Sequence, residues 1–508
     1  MSCIRYSFSA LCTIVWLLAA SLAAAQSPPD PDYVRQTLFA SYADFKNELL
    51  STVNIVDPAQ RQFELDLLWA TLQNAGQVPY AQDNQVAFLV RSSASTVAWP
   101  GDFNGWNPNA SGWQGMQFAG TDLWILEKSF PSDARLDYKV FDNGNWLLDP
   151  ANSLQMWGGF GPNSELRMPD YIFPQETVRQ TGVPLGNLTG SITTSSTNLG
   201  APVNYRVYTP AGYDSEQLTN LPAVYVTDGH EYSADHLGST VIVLDNLIDS
   251  GVLQPTLAVF IDPRHPTTGQ NQRFDQYTGN PAFVSFVADE LVPEIDSAYR
   301  TLDAATGRTI LGTSLGGVNS AYFGGTRSDV FENIAAQSPS NFSSIFHLYG
   351  SQSLQDDVDL FVTAGTIGDG SGGVNFTNLL AANGYDFEFT QVNEGHSWGN
   401  WRALLDEMLT HLIGATPALA ADFDDDLLVA QNDLALWQVG FGSLSGAAHR
   451  DGDSDSDRDV DGRDFLIWQQ QNSVGIGALA KPQTVPEPTS SVLLFCAAVV
   501  LALVSGRD

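Results

Sequence analysis

One stretch decides how the centre of the chain is interpreted: Thr309-Ile310-Leu311-Gly312-Thr313-Ser314-Leu315-Gly316-Gly317. Its apolar start predicts the end of a buried strand, and the small residues from Gly317 to Ala321 predict the start of a helix. The motif G-x-S-x-G lies between them. A serine on such a strand–turn–helix has its hydroxyl raised at the edge of a sheet beside a helix N-terminus. Ser314 is therefore a candidate nucleophile.

The region around this stretch, residues 180–415, alternates predicted strands and helices. Short apolar runs predict further buried strands, and apolar residues at helical spacing predict helices at 283–299 and 401–412. The strands are predicted at 222–226, 257–261, 360–363 and 387–390. This order indicates the α/β class, with a mostly parallel sheet between two layers of helices.

A serine hydroxyl is a poor nucleophile until a base accepts its proton. The order expected on such a fold is serine, acid, then histidine. Four histidines follow Ser314: His347, His396, His411 and His449. Only His396 lies in a loop directly after a predicted strand, at the edge where the base must lie. We therefore expect His396 to be the base.

The acid is expected after the preceding strand, where it would fix the histidine tautomer and stabilise the imidazolium. The glycine-rich segment 365–370 follows strand 360–364 and contains Asp369, which is the predicted acid. Asp386 and Glu394 remain alternatives.

An oxyanion hole needs two backbone N–H donors. One is expected from the residue after the nucleophile, Leu315. The other is expected in the loop Asp228-Gly229-His230, where the glycine permits a tight turn that directs the His230 N–H at the site.

Several motifs in this region, in order, resemble the esterase D family, which includes enterochelin esterases, feruloyl esterases and mycolyltransferases. They are Tyr225-Val226-Thr227-Asp228-Gly229, Phe260-Ile261-Asp262-Pro263, Arg273-Phe274-Asp275-Gln276-Tyr277, residues 286–293, residues 312–317 and Gly395-His396-Ser397-Trp398. The resemblance implies an α/β-hydrolase with Ser314 as nucleophile and His396 as base. It also implies that the amides of His230 and Leu315 form the oxyanion hole.

The N-terminal part of the chain divides in two. Residues 30–80 carry Leu38, Tyr42, Phe45, Leu49, Phe63, Leu67, Leu68 and Leu72 at helical spacing and predict a helix pair. Residues 82–172 carry short apolar runs between Gly, Asn and Pro, which predict a β-sandwich. The motif at 101–106 and the segment 145–150 resemble the immunoglobulin-like early-set domains of isoamylases. Trp106 and Trp146 are candidate sugar-stacking residues; a role in the core or a domain interface is the alternative.

Residues 421–472 contain two acidic loops about 31 residues apart. Aspartates occupy loop positions 1, 3, 5 and 12, a spacing of oxygen ligands that suits Ca²⁺. They are Asp422, Asp424, Asp426 and Asp433 in the first loop, and Asp453, Asp455, Asp457 and Asp464 in the second. The repeat resembles a type I dockerin, although Leu427 and Arg458 replace the usual glycine. The resemblance implies either a cohesin-like partner or a calcium-stabilised spacer ahead of the anchor. An acidic linker is the alternative.

Both termini are predicted to be targeting segments. Residues 1–25 have Arg5, an apolar stretch and small residues before Gln26, as in a secretory signal peptide. Residues 485–508 resemble the bacterial PEP-CTERM sorting signal, which implies export and attachment at the cell surface or membrane. The three cysteines (Cys3, Cys12 and Cys496) lie in the two terminal segments, so a disulfide scaffold is excluded for the body.

The formal net charge of −35 excludes nucleic acid as a partner, because phosphate backbones repel so acidic a chain. We interpret the sequence as an exported serine esterase that needs no cofactor for catalysis. Feruloyl, acetyl or other carbohydrate-linked or phenolic esters are the expected substrates. A siderophore esterase, an acyltransferase and a non-catalytic surface carbohydrate-binding or scaffold protein are the alternatives.

Overall fold

The computed structural model describes residues 31, 33–214, 218–350, 358–414, 420–421, 423, 429–443, 447, 451–454 and 459–472. The chain divides into two compact units, Met1–Ala415 and Thr416–Asp508. The predicted leader (1–25) and anchor (485–508) lie outside the described residues. Among the residues that the structure covers, no helix has both the length and the apolar character needed to span a bilayer.

The predicted N-terminal helix pair is α1 (Tyr42–Val53) and α2 (Pro58–Asn74). The side chains of Ser41 and Asp57 cap the two helices by accepting backbone N–H groups. The predicted inner face of α2 was wrong in part. Phe63 and Leu67 are 65% and 57% exposed, whereas the buried residues are Leu65, Leu68 and Leu72.

Ten strands follow the helix pair and form the N-terminal β-region (residues 80–167). They are β1 (Tyr80–Gln82), β2 (Gln85–Arg91), β3 (Val97–Ala98), β4 (Met116–Gln117), β5 (Leu123–Ser129), β6 (Arg135–Tyr138), β7 (Val140–Asp142), β8 (Asn145–Leu147), β9 (Gln155–Gly158) and β10 (Gly161–Arg167). They make one four-stranded sheet, β1-β2-β5-β4, and two three-stranded sheets, β6-β10-β9 and β3-β7-β8.

Strand β2 has both faces covered, which explains why its sequence is continuously apolar. Ala87 and Leu89 belong to the core formed with the helix pair. Val86, Phe88 and Val90 belong to a second core shared with the three-stranded sheets. The β-region is therefore layered, with helices outside one sheet and the other sheets on its opposite face. Its assignment as an immunoglobulin-like early-set domain stays a prediction.

A nine-stranded sheet forms the centre of the larger unit and confirms the predicted α/β-hydrolase fold. Its strands are β11 (Asn187–Leu188), β12 (Ile192–Ser195), β13 (Pro202–Thr209), β14 (Ala223–Val226), β15 (Leu257–Asp262), β16 (Arg308–Thr313), β17 (Asn333–Gln337), β18 (Asp359–Gly365) and β19 (Glu388–Val392). The order is β11-β13-β15-β14-β16-β17-β18-β19, with β12 paired to β13. Strands β14 to β19 pair in parallel, for example Tyr225 opposite Ile310.

Helices cover both faces of this sheet. They are α3 (Gly229–Tyr232), α4 (Thr240–Asp249), α5 (Arg273–Tyr277), α6 (Pro281–Ser285), α7 (Val292–Ala298), α8 (Leu315–Thr326), α9 (Ser343–Tyr349), α10 (Gly372–Ala382), α11 (Trp398–Ala403) and α12 (Leu405–Ile413). The predicted helix 283–299 contains a π-helical segment, Phe286–Leu291, between α6 and α7. The predicted helix 401–412 is two helices, α11 and α12. Strand β17 and the antiparallel strands β11–β13 were not predicted.

The smaller unit has two described helices, α13 (Gln431–Gly440) and α14 (Gly462–Gln471). Each begins at the end of a predicted acidic loop. Trp468 of α14 packs with Phe423 and Val429 in a small buried cluster, and its indole N–H donates to the backbone oxygen of Ala430.

Candidate active site

Ser314 lies on the turn between β16 and α8 in a conformation that side chains rarely adopt, with φ 58° and ψ −112°. Its backbone N–H donates to the Gln337 oxygen of the neighbouring strand, at 2.9 Å. The turn leaves no room beside Gly312, where an added Cβ would overlap the Thr227 hydroxyl and the backbone of Gly316. Such strained backbone persists only where its surroundings hold it, and here tight packing does so.

His396 connects the other two predicted site residues. Its Nε2 lies 2.9 Å from Oγ of Ser314, and its Nδ1 lies 2.6 Å from Oδ1 of Asp369. With the proton on Nδ1, the ring donates to the carboxylate and Nε2 accepts from the serine hydroxyl. Trp401 packs edge-on against the imidazole, with ring centroids 4.9 Å apart.

The Asp369 carboxylate is buried and has a second partner, the backbone N–H of Gly365, which donates to Oδ2 at 2.6 Å. Of the alternative acids, Glu394 lies instead beside the Arg135 guanidinium. His411 lies in α12, and its Nε2 is 3.1 Å from Oδ1 of Asp359. The sequence therefore brings Ser314, His396 and Asp369 into one hydrogen-bonded chain.

The predicted oxyanion donors lie on neighbouring strand ends. Leu315 is the first residue of α8, so its N–H has no acceptor within the helix. His230 lies in α3, which follows β14, the strand beside β16. A Cβ on Gly316 would lie 2.7 Å from the Thr227 hydroxyl, so the two turns are in close contact. Both amides therefore lie at the edge of the sheet formed by the carboxyl ends of its strands, where Ser314 also lies.

The side chain of His230 lines a cavity of about 340 Å³ together with Tyr205, Asp262 and Arg264. Burial lowers its pKa to about 4, outweighing the opposing influence of Asp262, whose Oδ1 lies 3.6 Å from Nδ1. The imidazole is therefore uncharged at neutral pH and lines the cavity.

Two residues at this site were not predicted. Arg273 binds both carboxylate oxygens of Asp228 through Nε at 2.8 Å and donates through Nη2 to the Thr313 oxygen at 3.0 Å. It thereby joins the ends of β14 and β16. Ser340 places its Oγ 3.5 Å from that of Ser314. Arg273 lies in a motif used for the family resemblance, whereas nothing in the local sequence marks Ser340.

The two candidate sugar-stacking tryptophans differ in exposure. Trp106 is partly buried, and its indole N–H donates to Asp102 at 3.2 Å. Trp146 is 46% exposed and touches Phe141 with its edge. Of the two, Trp146 is therefore the one whose ring is available to a sugar in solution.

In the acidic loops, Asp433 and Asp464 are buried, and each carboxylate accepts two backbone N–H groups, for example from Phe423 and Ala430 to Asp433. Asp453 is buried as well. Carboxylate oxygens of Asp459, Asp461 and Asp464 lie within 4.8 Å of one another. The remaining predicted ligands (Asp422, Asp424, Asp426, Asp455 and Asp457) lie outside the described residues.

The larger unit thus has the α/β-hydrolase fold with a serine at the strand–turn–helix. Residues 196–362 match the family model described as "Putative esterase". Together, the fold and this match define a carboxylic ester hydrolase.

The chain is similar in fold to two solved esterases. The enterobactin esterase of Shigella flexneri is 19% identical with a TM-score of 0.54, over 65% of this chain and 92% of that one. The ferric enterobactin esterase of Salmonella typhimurium is 19% identical with a TM-score of 0.55, over 65% and 93%. The matched share exceeds that of residues 180–415, so the similarity in fold extends outside the hydrolase region.

Two further proteins match a smaller share of this chain. The ferulic acid esterase of Anaeromyces mucronatus is 20% identical with a TM-score of 0.40, over 46% of this chain and 94% of that one. The uncharacterised protein YjcH of Bacillus subtilis is 24% identical over an alignment of 240 residues, and the match covers 43% of this chain and 94% of that protein.

Proposed function

We propose that the protein is an exported serine esterase in which Ser314, His396 and Asp369 form the catalytic triad. The observation that carries the proposal is the chain of short contacts from Ser314 Oγ to His396 Nε2 and from Nδ1 to Asp369. A base within hydrogen-bond reach of the nucleophile, held by a buried carboxylate, is the arrangement that serine hydrolysis requires.

The proposed reaction has two halves. Ser314 Oγ attacks the ester carbonyl while His396 Nε2 takes its proton, and the developing oxyanion accepts hydrogen bonds from the N–H groups of His230 and Leu315. The C–O bond to the alcohol breaks as His396 returns the proton to the leaving oxygen. Water then attacks the acyl-serine with His396 again as base, releasing the acid and free enzyme. An alcohol in place of water would make the enzyme an acyltransferase.

For the substrate we propose phenolic or carbohydrate-linked esters, such as feruloyl or acetyl esters. Phe274 supports an aromatic group: it is 62% exposed, follows Arg273, and packs edge-on with Phe342, two residues beyond Ser340. Exposed aromatic rings offer a flat apolar face on which a planar aromatic group can pack. The exposed Trp146 supports a sugar contact on the β-region.

A siderophore ester is the second candidate. It is supported by the fold similarity to enterobactin esterases, which extends beyond the hydrolase region. The net charge of −35 disfavours it, because ferric catecholates are anionic.

The decisive experiment compares hydrolysis of an aryl acetate, methyl ferulate and a ferric catecholate siderophore by the wild type and Ser314→Ala. Turnover that is lost in Ser314→Ala supports the triad, and the preferred ester identifies the substrate class. Absence of Ser314-dependent hydrolysis of every ester would overturn the proposed function.

The proposal extends to the ends of the chain. We propose that the segment 1–25 directs export, that 485–508 attaches the protein to the cell surface or membrane, and that 421–472 binds Ca²⁺ and docks a cohesin-like partner. The closeness of the carboxylates of Asp459, Asp461 and Asp464 supports a cation in the second loop.

A further inference from the structure

A fully buried arginine of the N-terminal β-region reaches the loop that carries His396. Arg135 on β6 donates through Nε to Glu165 at 2.7 Å and through Nη2 to Asp137. Its remaining Nη1 donates to Oγ of Ser397 at 3.0 Å. Ser397 directly follows His396, although it is 262 residues away from Arg135 in the chain.

The backbone of the same loop is bound to the same residue. The Arg135 N–H donates to the Asn393 oxygen at 3.2 Å, and Oε2 of Glu394 lies 3.6 Å from Nη1. The guanidinium also packs tightly against α11, because a Cβ on Gly399 would overlap it. The β-region thus contacts the loop on both sides of His396.

Asp102 makes a second set of contacts, which includes the loop of Asp369. A Cβ on Gly395 would overlap the Asp102 carboxylate, and a Cβ on Gly368 would overlap its backbone oxygen. The two loops are also bonded to each other, since the N–H of Ile367 donates to the Glu394 oxygen at 3.2 Å. Both loops that supply the His–Asp pair therefore rest on one surface of the β-region.

We propose that Arg135 is a positioning residue for His396, so that the β-region completes the active site of the hydrolase. This inference rests on the proposed function of Ser314, His396 and Asp369. The loop between β19 and α11 is short and contains neither helix nor strand, so contacts from outside the loop help to place the imidazole. The buried guanidinium supplies one such contact through Ser397, and its carboxylate partners hold it in one orientation. The backbone N–H of Arg135 supplies a second by binding the oxygen of Asn393. A displacement of about 1 Å at such a site can cost about 10²-fold in rate.

The test uses the full chain with Ser397→Ala and Arg135→Lys. Ser397→Ala deletes the acceptor and leaves the carboxylate contacts of Arg135 intact, whereas lysine lacks the planar fork of arginine. Asp133→Ala is the matched control, because it removes an exposed hydrogen bond of 2.8 Å from Asn393 at the same interface. Reactive serine is counted by labelling with a fluorophosphonate to completion. Turnover of an aryl acetate is then expressed per labelled site.

We expect turnover per site to fall about 10-fold to 100-fold in Arg135→Lys and by a smaller factor in Ser397→Ala, with KM nearly unchanged. Asp133→Ala should match the wild type. A merely structural role would lower the number of labelled sites and leave turnover per site unchanged; that result overturns the inference. Should Arg135→Lys fail to fold, Ser397→Ala decides alone, and wild-type turnover per site in it counts against the inference. Absence of Ser314-dependent turnover in the wild type would overturn both proposals, whereas full activity of the two variants overturns only this one.

Discussion

The Asp369 carboxylate uses its two oxygens for different partners. Oδ1 faces His396 and Oδ2 accepts the N–H of Gly365, at the end of β18. The backbone bond therefore sets the direction in which the other oxygen points. This arrangement supports a single tautomer of His396, with the proton on Nδ1.

Replacing Asp369 with asparagine is expected to lower kcat by about 10⁴-fold, since the amide no longer favours the productive tautomer. KM should change little, because the side chain is buried and away from the substrate. Steady-state kinetics on an aryl acetate check this. The control is Asp386→Asn, the alternative acid, which should keep full activity; the opposite pattern would assign the acid to Asp386.

Ser314, His396 and Asp369 were recognisable from sequence because each follows a strand of the predicted sheet. The carboxyl ends of parallel strands meet at one edge of the sheet, so a residue that directly follows a strand is expected at that edge. Ser340 and the bond from Arg273 to Thr313 were not recognisable, since they depend on how separate loops fold over that edge.

The strand–turn–helix depends on glycines at close contacts. In Gly312→Ala the new methyl group would meet the Thr227 hydroxyl and the backbone of Gly316. Overpacking of this kind costs about 1–3 kcal/mol, and we expect that loss in the free energy of unfolding together with loss of esterase activity.

Denaturant unfolding and aryl acetate kinetics measure both effects. Gly190→Ala is the control, because nothing lies within 4 Å of the added Cβ. Equal stability and activity of the two variants would mean that the turn at Ser314 is loosely packed.

Helix α2 shows the limit of helical periodicity. The spacing identified the helix and the buried Leu68 and Leu72. It also included Phe63 and Leu67, which are exposed, and it missed the buried Leu65. Adjacent apolar stripes on one helix are indistinguishable until the partner sheet is known.

Leu72→Ala is expected to destabilise the larger unit by about 2–5 kcal/mol, because it leaves a cavity against the four-stranded sheet. The exposed Leu67→Ala should stay within about 0.5 kcal/mol of the wild type. Thermal unfolding of both variants makes the comparison. Equal destabilisation would contradict the observed face of the helix.

At the scale of the whole molecule, the charge of −35 affects which esters reach the site. At an ionic strength of about 0.15 M the Debye length is about 8 Å, so long-range repulsion is largely screened. Raising salt to that level should increase kcat/KM for an anionic aryl ester and leave a neutral ester unchanged. A decrease with the anionic ester would instead indicate a locally positive cleft.

Calcium is expected to stabilise the smaller unit without altering ester hydrolysis. A ligand at about 100 times its Kd stabilises by about 2.7 kcal/mol, so chelation should lower the Tm of this unit. Calorimetric titration should show weaker binding in Asp453→Asn than in Asp83→Asn, an exposed control in the larger unit. Identical titrations of the two variants would exclude Asp453 as a ligand.

Local patterns in the sequence determined the α/β-hydrolase fold, the serine turn and the candidate histidine and aspartate. Each of these is encoded by neighbouring residues whose spacing follows from backbone geometry. Tertiary structure alone decided which face of α2 is buried, that both faces of β2 are covered, and that Arg135 bonds to Ser397. These features join residues far apart in the chain, and such contacts depend on how whole elements pack, so no short stretch of sequence encodes them.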